Sequence, residues 1–409
     1  MTGALEPASL YRLPWTVADN AMTWLEPTRK CNIVCDACFA TNDPQSEKSL
    51  ERIEGEVRAL RRLRRSDGMF IAGGEPLTHS RIVDIVGIVR GHGFKPVLVT
   101  NGVGLTAAKL AAMKRAGLFG LTFHVDSHQS RPGWKGKSEA ELNVLRGELA
   151  DMVRAAGGLV CGFNVTVFPD TLESVPAIVS WALRNIDKVH YYTLTVLRLV
   201  EAQAPFDYYA GGRKVDVGET VYYSAVPYRK LMSAEIRAEV EKALPDYRVS
   251  AFLGGTARPD SLKLAMCGRL GTTRESFGNL GPRSMELVQS LHHWFRGRYL
   301  AFARPGLTRM GRSALLLFGL IDPAVRKALG AYGRSILRDP GVLLRRIHLQ
   351  TIVVEQPFDL LPDGGQDHCD GCPNMTLWRD RLVAACQLEE YLRFGAPVVA
   401  VPRTAGREG

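Results

Sequence analysis

Met22-Thr-Trp-Leu-Glu-Pro-Thr-Arg-Lys-Cys31-Asn-Ile-Val-Cys35-Asp-Ala-Cys38 runs from a short apolar segment straight into three closely spaced cysteines. Its first part, Met22 to Glu26, reads as a buried strand, and five similar runs follow: Met69–Ala72, Pro96–Thr100, Leu121–Val125, Val160–Val167 and Val189–Leu197. Between them lie Leu50–Leu63, Ser80–His92, Ala107–Ala116, Glu139–Ala155 and Leu172–Ile186, each long enough for a helix. Alternation of this kind implies parallel strands joined by right-handed crossovers. Six such units predict an α/β chain folded as a partial (β/α)6 TIM-like barrel rather than a closed barrel of eight.

Outward from this core the pattern changes. The chain has 409 residues, more than one hydrophobic core usually organises, so appended units are expected. Apolar residues make up 46% and charged residues 23%, which excludes a disordered chain. The opening MTGALEPASLYRLPW lacks an apolar run behind a basic start, and the longest apolar run, Ala314 to Ile321, is far shorter than the ~20 residues of a membrane span. A soluble, cytoplasmic protein is expected. Residues 202–218 read as a loop, and Pro227 to Leu244 as a helical stretch. From Arg283 to His348 amphipathic helices are expected, among them Ser284–Leu300 and Pro323–Leu337, broken by Pro305, Pro323 and Pro340. This segment holds eleven arginines and one lysine against Glu286, Asp322 and Asp339, a net +9 out of +10 for the chain. Three readings fit it: a solvated face over packed helices, peripheral contact with an anionic membrane, or a grip on nucleic-acid phosphates. The interleaved Leu, Phe and Trp favour lipid over RNA. Near the end, MTLW and RLVAAC flank Arg379-Asp380 as a hairpin. The expected division is an extension (1–21), a core (22–225), a helical Arg-rich region (226–360) and a C-terminal unit (361–409).

Eight cysteines are too few for a disulfide scaffold, but two groups are tight. Cys31, Cys35 and Cys38 form C-x3-C-x2-C after the first strand. Three thiolates from one loop can hold three irons of a 4Fe-4S cube and leave the fourth iron open, with Phe39 shielding one side. Gly73-Gly74-Glu75-Pro76 directly follows the second strand, where the glycines admit a ligand close to the backbone and Glu75 offers a carboxylate suited to an ammonium group.

In this order, on consecutive strand ends, the two motifs resemble the radical S-adenosylmethionine (SAM) superfamily over about residues 22–199. The resemblance implies that Cys31, Cys35 and Cys38 ligate a 4Fe-4S cluster whose free iron chelates SAM. It implies that Gly73, Gly74, Glu75 and Pro76 hold the SAM ammonium. Thr100 and Asn101, then Asp126 and Ser127, would contact its carboxylate or ribose, and Asn164 to Thr166 would flank the adenine. The implied activity is reductive cleavage of SAM to a 5′-deoxyadenosyl radical that abstracts hydrogen from a substrate, fed by an external reductant such as ferredoxin or flavodoxin.

Cys369 and Cys372, followed thirteen residues later by Cys386, form a second group, C-x2-C-x13-C. Its spacing resembles the auxiliary cluster of the radical GTP cyclase of molybdenum-cofactor biosynthesis, and more loosely the Twitch and SPASM extensions. A second 4Fe-4S cluster is expected there, with zinc as the alternative and Cys267 as a candidate fourth ligand. GTP is not carried over as substrate, because the chain departs from that cyclase in length and in its C-terminal residues. The expected substrate is a biosynthetic intermediate that is hydrophobic or phosphate-bearing, such as a lipid. The alternatives are a peptide-modifying enzyme and a non-catalytic iron-sulfur or zinc protein that binds nucleic acid. Among other residues, His124 and His128 read as catalytic groups or hydrogen-bonding support, Arg131, Trp134, Lys135 and Lys137 as loop, His292 and His293 as helix surface, and Cys161 as core.

Overall fold

The computed structural model describes residues 6–403 apart from 202–203, 220–222, 225–227 and 309–311, so Pro227 and the first two residues of the predicted loop lie outside it. Six parallel strands, Met22–Thr28 (β1), Gly68–Gly73 (β2), Lys95–Thr100 (β3), Gly120–His124 (β4), Val160–Val167 (β5) and Tyr191–Val196 (β6), pair in chain order. Five helices cross one face: Leu50–Leu63 (α1), Ile82–Gly91 (α2), Ala107–Arg115 (α3), Leu142–Ala156 (α4) and Val175–Arg184 (α5). They form where the sequence supplies both a start and a stripe. Ser49 caps α1 by accepting from Arg52 N, and Ile53, Val57 and Leu60 fall on one side of that helix and are buried. Thr106 caps α3 in the same way, through Lys109 N. Leu25, Ile71, Leu98, Phe123, Phe163 and Leu194 meet these stripes in one continuous core.

The sheet does not stop at β6. His348–Glu355 pairs parallel to it, Leu264–Gly271 runs antiparallel to that strand, and Ala251–Leu253 and Tyr11–Arg12 complete the order. The result is a central, mostly parallel sheet whose two outer parts are joined by residues 13–21. The stretch 226–360, expected to be helical, therefore also supplies strands. Their apolar runs, LAMCGRLG and HLQTIVVE, are as short as those of the core but are separated by a long insert.

Among the described residues that insert contains three helices of ten residues or more. After Ser233–Ala243 (α6), which starts later than the predicted stretch, come Pro282–Arg296 (α7), Arg312–Ile321 (α8) and Pro323–Arg338 (α9). The segment after α7 is fixed at the amino ends of the strands. Lys95 donates to Phe302 O at 2.9 Å, Ala301 N to Asp67 Oδ2 at 3.0 Å, and the Phe302 ring lies 4.9 Å from that of Tyr191. His292 and His293 are not free surface: His293 meets Asp19 at 2.9 Å and His292 meets Arg298 O at 2.8 Å.

The predicted loop 202–218 is corrected. Phe206–Ala210 is a strand, antiparallel to Val398–Pro402, whose Phe206, Tyr208 and Ala210 alternate into a small core. The strand pairs locally with Arg213–Lys214 across Gly211-Gly212, while its longer partner lies almost two hundred positions away. The hairpin Met375–Trp378 and Arg381–Ala384 forms as expected around Arg379 and Asp380, both left-handed at φ 45° and 60°. It lies along β1, with Thr23 Oγ1 donating to Met375 O at 3.0 Å.

Candidate functional site

The carboxyl ends of β1 to β5 bring the first predicted set together. The cysteine loop leaves β1 and folds back over β2, β3 and β4. Glu75 N donates to Lys30 O at 2.8 Å and Gly74 N to Thr28 O at 2.9 Å. This close approach requires glycine, since a β-carbon on Gly74 would lie 2.5 Å from the Arg29 carbonyl carbon. Gly73, at φ 104°, turns the chain out of β2, and Pro76 opens the short turn that follows. On the other side Asp36 N bonds His128 O at 2.9 Å and Val34 N bonds Ser130 Oγ at 3.0 Å, tying the loop to the segment after β4. Ala37, at φ 53°, absorbs the tight turn between the last two cysteines.

Glu75 is buried at the end of β2. Its carboxylate is 1% exposed and accepts from Thr100 Oγ1 at 2.6 Å, Asn101 N at 2.6 Å and Leu77 N at 2.9 Å. Burial pushes its pKa up against these three donors. The carboxylate thus holds the end of β3, and Asn101 carries the connection onward to Asn32 Oδ1 at 2.8 Å and Cys31 Sγ at 3.9 Å.

Asp126 is buried after β4, where His124 lies 2.8 Å away and His128 N donates at 3.1 Å. Burial raises its carboxyl, but the neighbouring His124 outweighs this and the pKa is lowered. Ser127 N donates to Glu139 Oε1 at 2.6 Å, and Glu139 is itself paired with the fully buried Arg146. Asn164 accepts from Thr195 Oγ1 at 2.9 Å. His128 supports the cysteine loop by bridging Asp36 at 3.0 Å and Asp170 at 3.2 Å.

Several contributors were not legible in the sequence. Arg131, which looked like loop charge, is 4% exposed and donates to Asn101 O at 2.6 Å and His124 O at 3.1 Å, locking β3 to β4. Arg29 pairs with Glu389 of the C-terminal unit, which also accepts from Thr41 Oγ1 at 2.7 Å. No periodic or spacing signal marks either.

The thiols are electrostatically aware of one another. Burial, then the charges of Cys38, Asp126 and Cys31, push the Cys35 thiol up, with Arg131 opposing. Phe39 packs on Trp24 at 5.9 Å and closes the inner side of the loop.

The second set also gathers, without Cys267. Cys369 pairs with Gly255 in a β-bridge, Arg64 donates to Cys372 O at 2.6 Å, and Asn20 donates to Gly371 O at 3.0 Å. Burial raises all three thiols, and for each the charge of Glu355 adds to it. Cys267 sits on Leu264–Gly271 facing the helix-covered core, and bonds Asn279 Oδ1 at 3.0 Å. Strand alternation sends it to the opposite face from Leu264 and Met266. Beside the set, Lys263 bridges Asp359 at 2.6 Å and Asp367 at 3.2 Å, and Arg198 pairs with Asp359 at 2.9 Å. Among the described residues no group of three Cys, His, Asp or Glu side chains is gathered closely enough to hold a single metal ion, so neither set is arranged as a single-ion site.

Residues 25–182 match the family described as the Radical SAM superfamily. This stretch, well under half of the chain, is similar to that family. It contains both motifs and the first five strands of the alternation. A 7,8-dihydro-6-hydroxymethylpterin dimethyltransferase of Methanocaldococcus jannaschii is 27% identical over 177 residues, 40% of this chain and 34% of that protein. A PqqA peptide cyclase of a Methylobacterium species is 27% identical over 167 residues, 39% of this chain and 42% of that protein. An S-adenosylmethionine-dependent nucleotide dehydratase of Selenomonas ruminantium is 34% identical over 86 residues, 21% and 31% of the two chains. The chain thus spans about a third to two fifths of the length of these curated relatives. Among solved structures, Streptococcus suis SuiB bound to precursor peptide SuiA aligns with a TM-score of 0.40 and 15% identity, covering 56% of this chain and 46% of that one.

Proposed function

We propose that the protein binds a 4Fe-4S cluster through Cys31, Cys35 and Cys38 and cleaves SAM at it to abstract hydrogen from a polar substrate. One observation carries this reading: the cysteine loop is bonded to the Gly73–Gly74 strand end, and Glu75 and Asn101 connect that strand end to Cys31. Cluster ligands and cofactor-binding backbone are thereby held as one rigid unit, as reactive geometry requires. When bound and reduced, the cluster supplies the electron that breaks a carbon-sulfur bond of SAM.

The chain's own residues supply the rest. The carboxylate of Glu75 is taken up by β3, so the backbone at Gly73 and Gly74 is what remains to meet the ammonium group. Asp126 stays ionised beside His124 at the ribose position, and Trp24 and Phe39 exclude water beneath the loop. We read the sheet as a partial (β/α)6 barrel and the C-terminal unit as an auxiliary-cluster module of the Twitch/SPASM kind. In that module Cys369, Cys372 and Cys386 are ligands, and Glu355 rather than Cys267 stands beside them. A soluble donor such as ferredoxin or flavodoxin is the proposed source of electrons.

The substrate reading moves away from lipid. On the face opposite the helices, His124, Asn164, Thr166, Thr193, Thr195 and Glu355 are all partly exposed. They stand on adjacent strands in register, Asn164 against His124 and Thr193, and Thr195 against Thr166 and Glu355. Hydroxyl, amide and carboxylate groups lining one wall suit a substrate carrying hydroxyl or amino groups. A polar peptide segment meets the same description, and a peptide cyclase is among the relatives.

The test is anaerobic reconstitution with iron and sulfide, reduction with dithionite and addition of SAM. About eight irons per chain and release of 5′-deoxyadenosine are expected. A fully loaded, reduced protein that releases none would overturn the reading.

A further inference from the structure

Helix α7 leaves large apolar side chains in solvent at its carboxyl end. Its inner side packs Met285 and also holds polar groups: Ser284 bonds Asp322, Gln289 exchanges bonds with Leu300 N and O at 3.1 Å, and His293 meets Asp19. Its outer side carries Trp294 and Phe295, 78% and 75% exposed, with rings stacked 5.4 Å apart. The neighbouring α8 packs Phe318 inward but leaves Leu317 66% and Leu320 75% exposed. Ten of the seventeen large apolar side chains exposed among the described residues fall between Leu291 and Leu344. A concentration of this kind marks a contact surface.

Charge narrows what makes the contact. Of the three acids in this segment, Glu286 is exposed on α7, Asp322 is buried as a helix cap and Asp339 is paired with Arg345 at 2.6 Å. The exposed Arg296 and Arg346 have no carboxylate partner among the described residues. A surface that is both apolar-aromatic and basic complements the acyl boundary and headgroups of an anionic bilayer. No helix among the described residues is long and apolar enough to cross one.

We propose that the outer faces of α7 and α8 bind an anionic membrane surface peripherally, with Trp294, Phe295, Leu317 and Leu320 entering the interface and Arg296 and Arg346 meeting lipid phosphates. The insert is fastened to the amino ends of β2 and β3, where Arg298 bonds Ser66 O at 3.2 Å and Gly93 O at 2.9 Å. The cysteine loop stands at the opposite ends of the same strands. Docking therefore anchors the protein without presenting the SAM site to the lipid, in keeping with a polar substrate.

The experiment is cosedimentation of the full chain with vesicles of phosphatidylglycerol and phosphatidylcholine, against phosphatidylcholine alone, at low and high salt. It reads binding without any cluster, so it stands or falls apart from the SAM chemistry. Binding to the anionic vesicles only, weakened by salt, is expected. Trp294→Ala with Phe295→Ala should reduce it about tenfold, and Arg296→Gln with Arg346→Gln should reduce it and flatten its salt dependence. All four side chains are exposed, and thermal melts of both variants verify folding. Equal binding to neutral vesicles, or variants that bind like the native chain, would overturn the proposal. So would a dimer in sedimentation velocity that Trp294→Ala dissolves, which would assign this face to a second copy.

Discussion

The two ends of the sheet are built by opposite rules. At the carboxyl ends of the strands polar groups are buried and paired: Glu75 with Thr100 and Asn101, Arg131 with two backbone carbonyls, Arg146 with Glu139, Asp359 with Arg198 and Lys263. At the amino ends the appended helices bury Val325, Ala328 and Tyr332 alongside the polar Ser284 and Gln289, and leave Trp294, Phe295 and Leu320 in solvent. The first arrangement fixes geometry, because each buried polar group loses much if its partner moves. The second fastens the insert to the strands and offers contact area. Chemistry and attachment are thus separated along one set of strands.

The largest effect expected of any single change at the mouth is from Cys35→Ala. It should abolish 5′-deoxyadenosine formation and remove about half of the reconstituted iron, while the melting temperature of the apoprotein stays near native. Next is Asp359→Asn, which leaves Arg198 without its carboxylate and should cost about 3 to 5 kcal/mol in chemical denaturation. Burial raises the Asp359 carboxyl, but Arg198 and Lys263 more than offset this and hold it below its ordinary value. A depressed carboxylate contributes stability that is present above the unfolded pKa and lost as pH falls through the folded one. The native chain should therefore lose stability below about pH 4 more steeply than the Asn variant.

Gly74→Ala should lower SAM cleavage about 100-fold by pushing the cysteine loop away from β2. Gly87→Ala in α2, where an added β-carbon meets nothing within 4 Å, should leave activity native and stabilise slightly. A modest effect belongs to the other end. Arg298→Ala should cost about 1 to 2 kcal/mol through its two carbonyl bonds and leave SAM cleavage unchanged. A matching loss of cleavage would mean that the two ends are coupled and would break the comparison.

What was legible in the sequence follows the range of the signal. The six core strands and five helices declare themselves through short-period burial, and Cys31, Cys35, Cys38 and Gly73 to Pro76 through spacing. Phe206–Ala210 was missed although Gly211-Gly212 turns it into Arg213–Lys214; only its longer partner, Val398–Pro402, lies far away in the chain. Arg131 was missed because a buried arginine and a solvated one look alike in a loop.

The sequence by itself determined the alternating core, the two cysteine sets and the concentration of positive charge between Arg283 and His348, all of them local patterns or counts. Only the tertiary structure decided that Glu75 turns to β3, that Cys267 faces the core while Glu355 stands by the second set, and that the basic helices lie at the opposite strand ends from the cysteine loop. Those outcomes depend on strand register and on which face a residue presents, and register is set by partners far away in the chain.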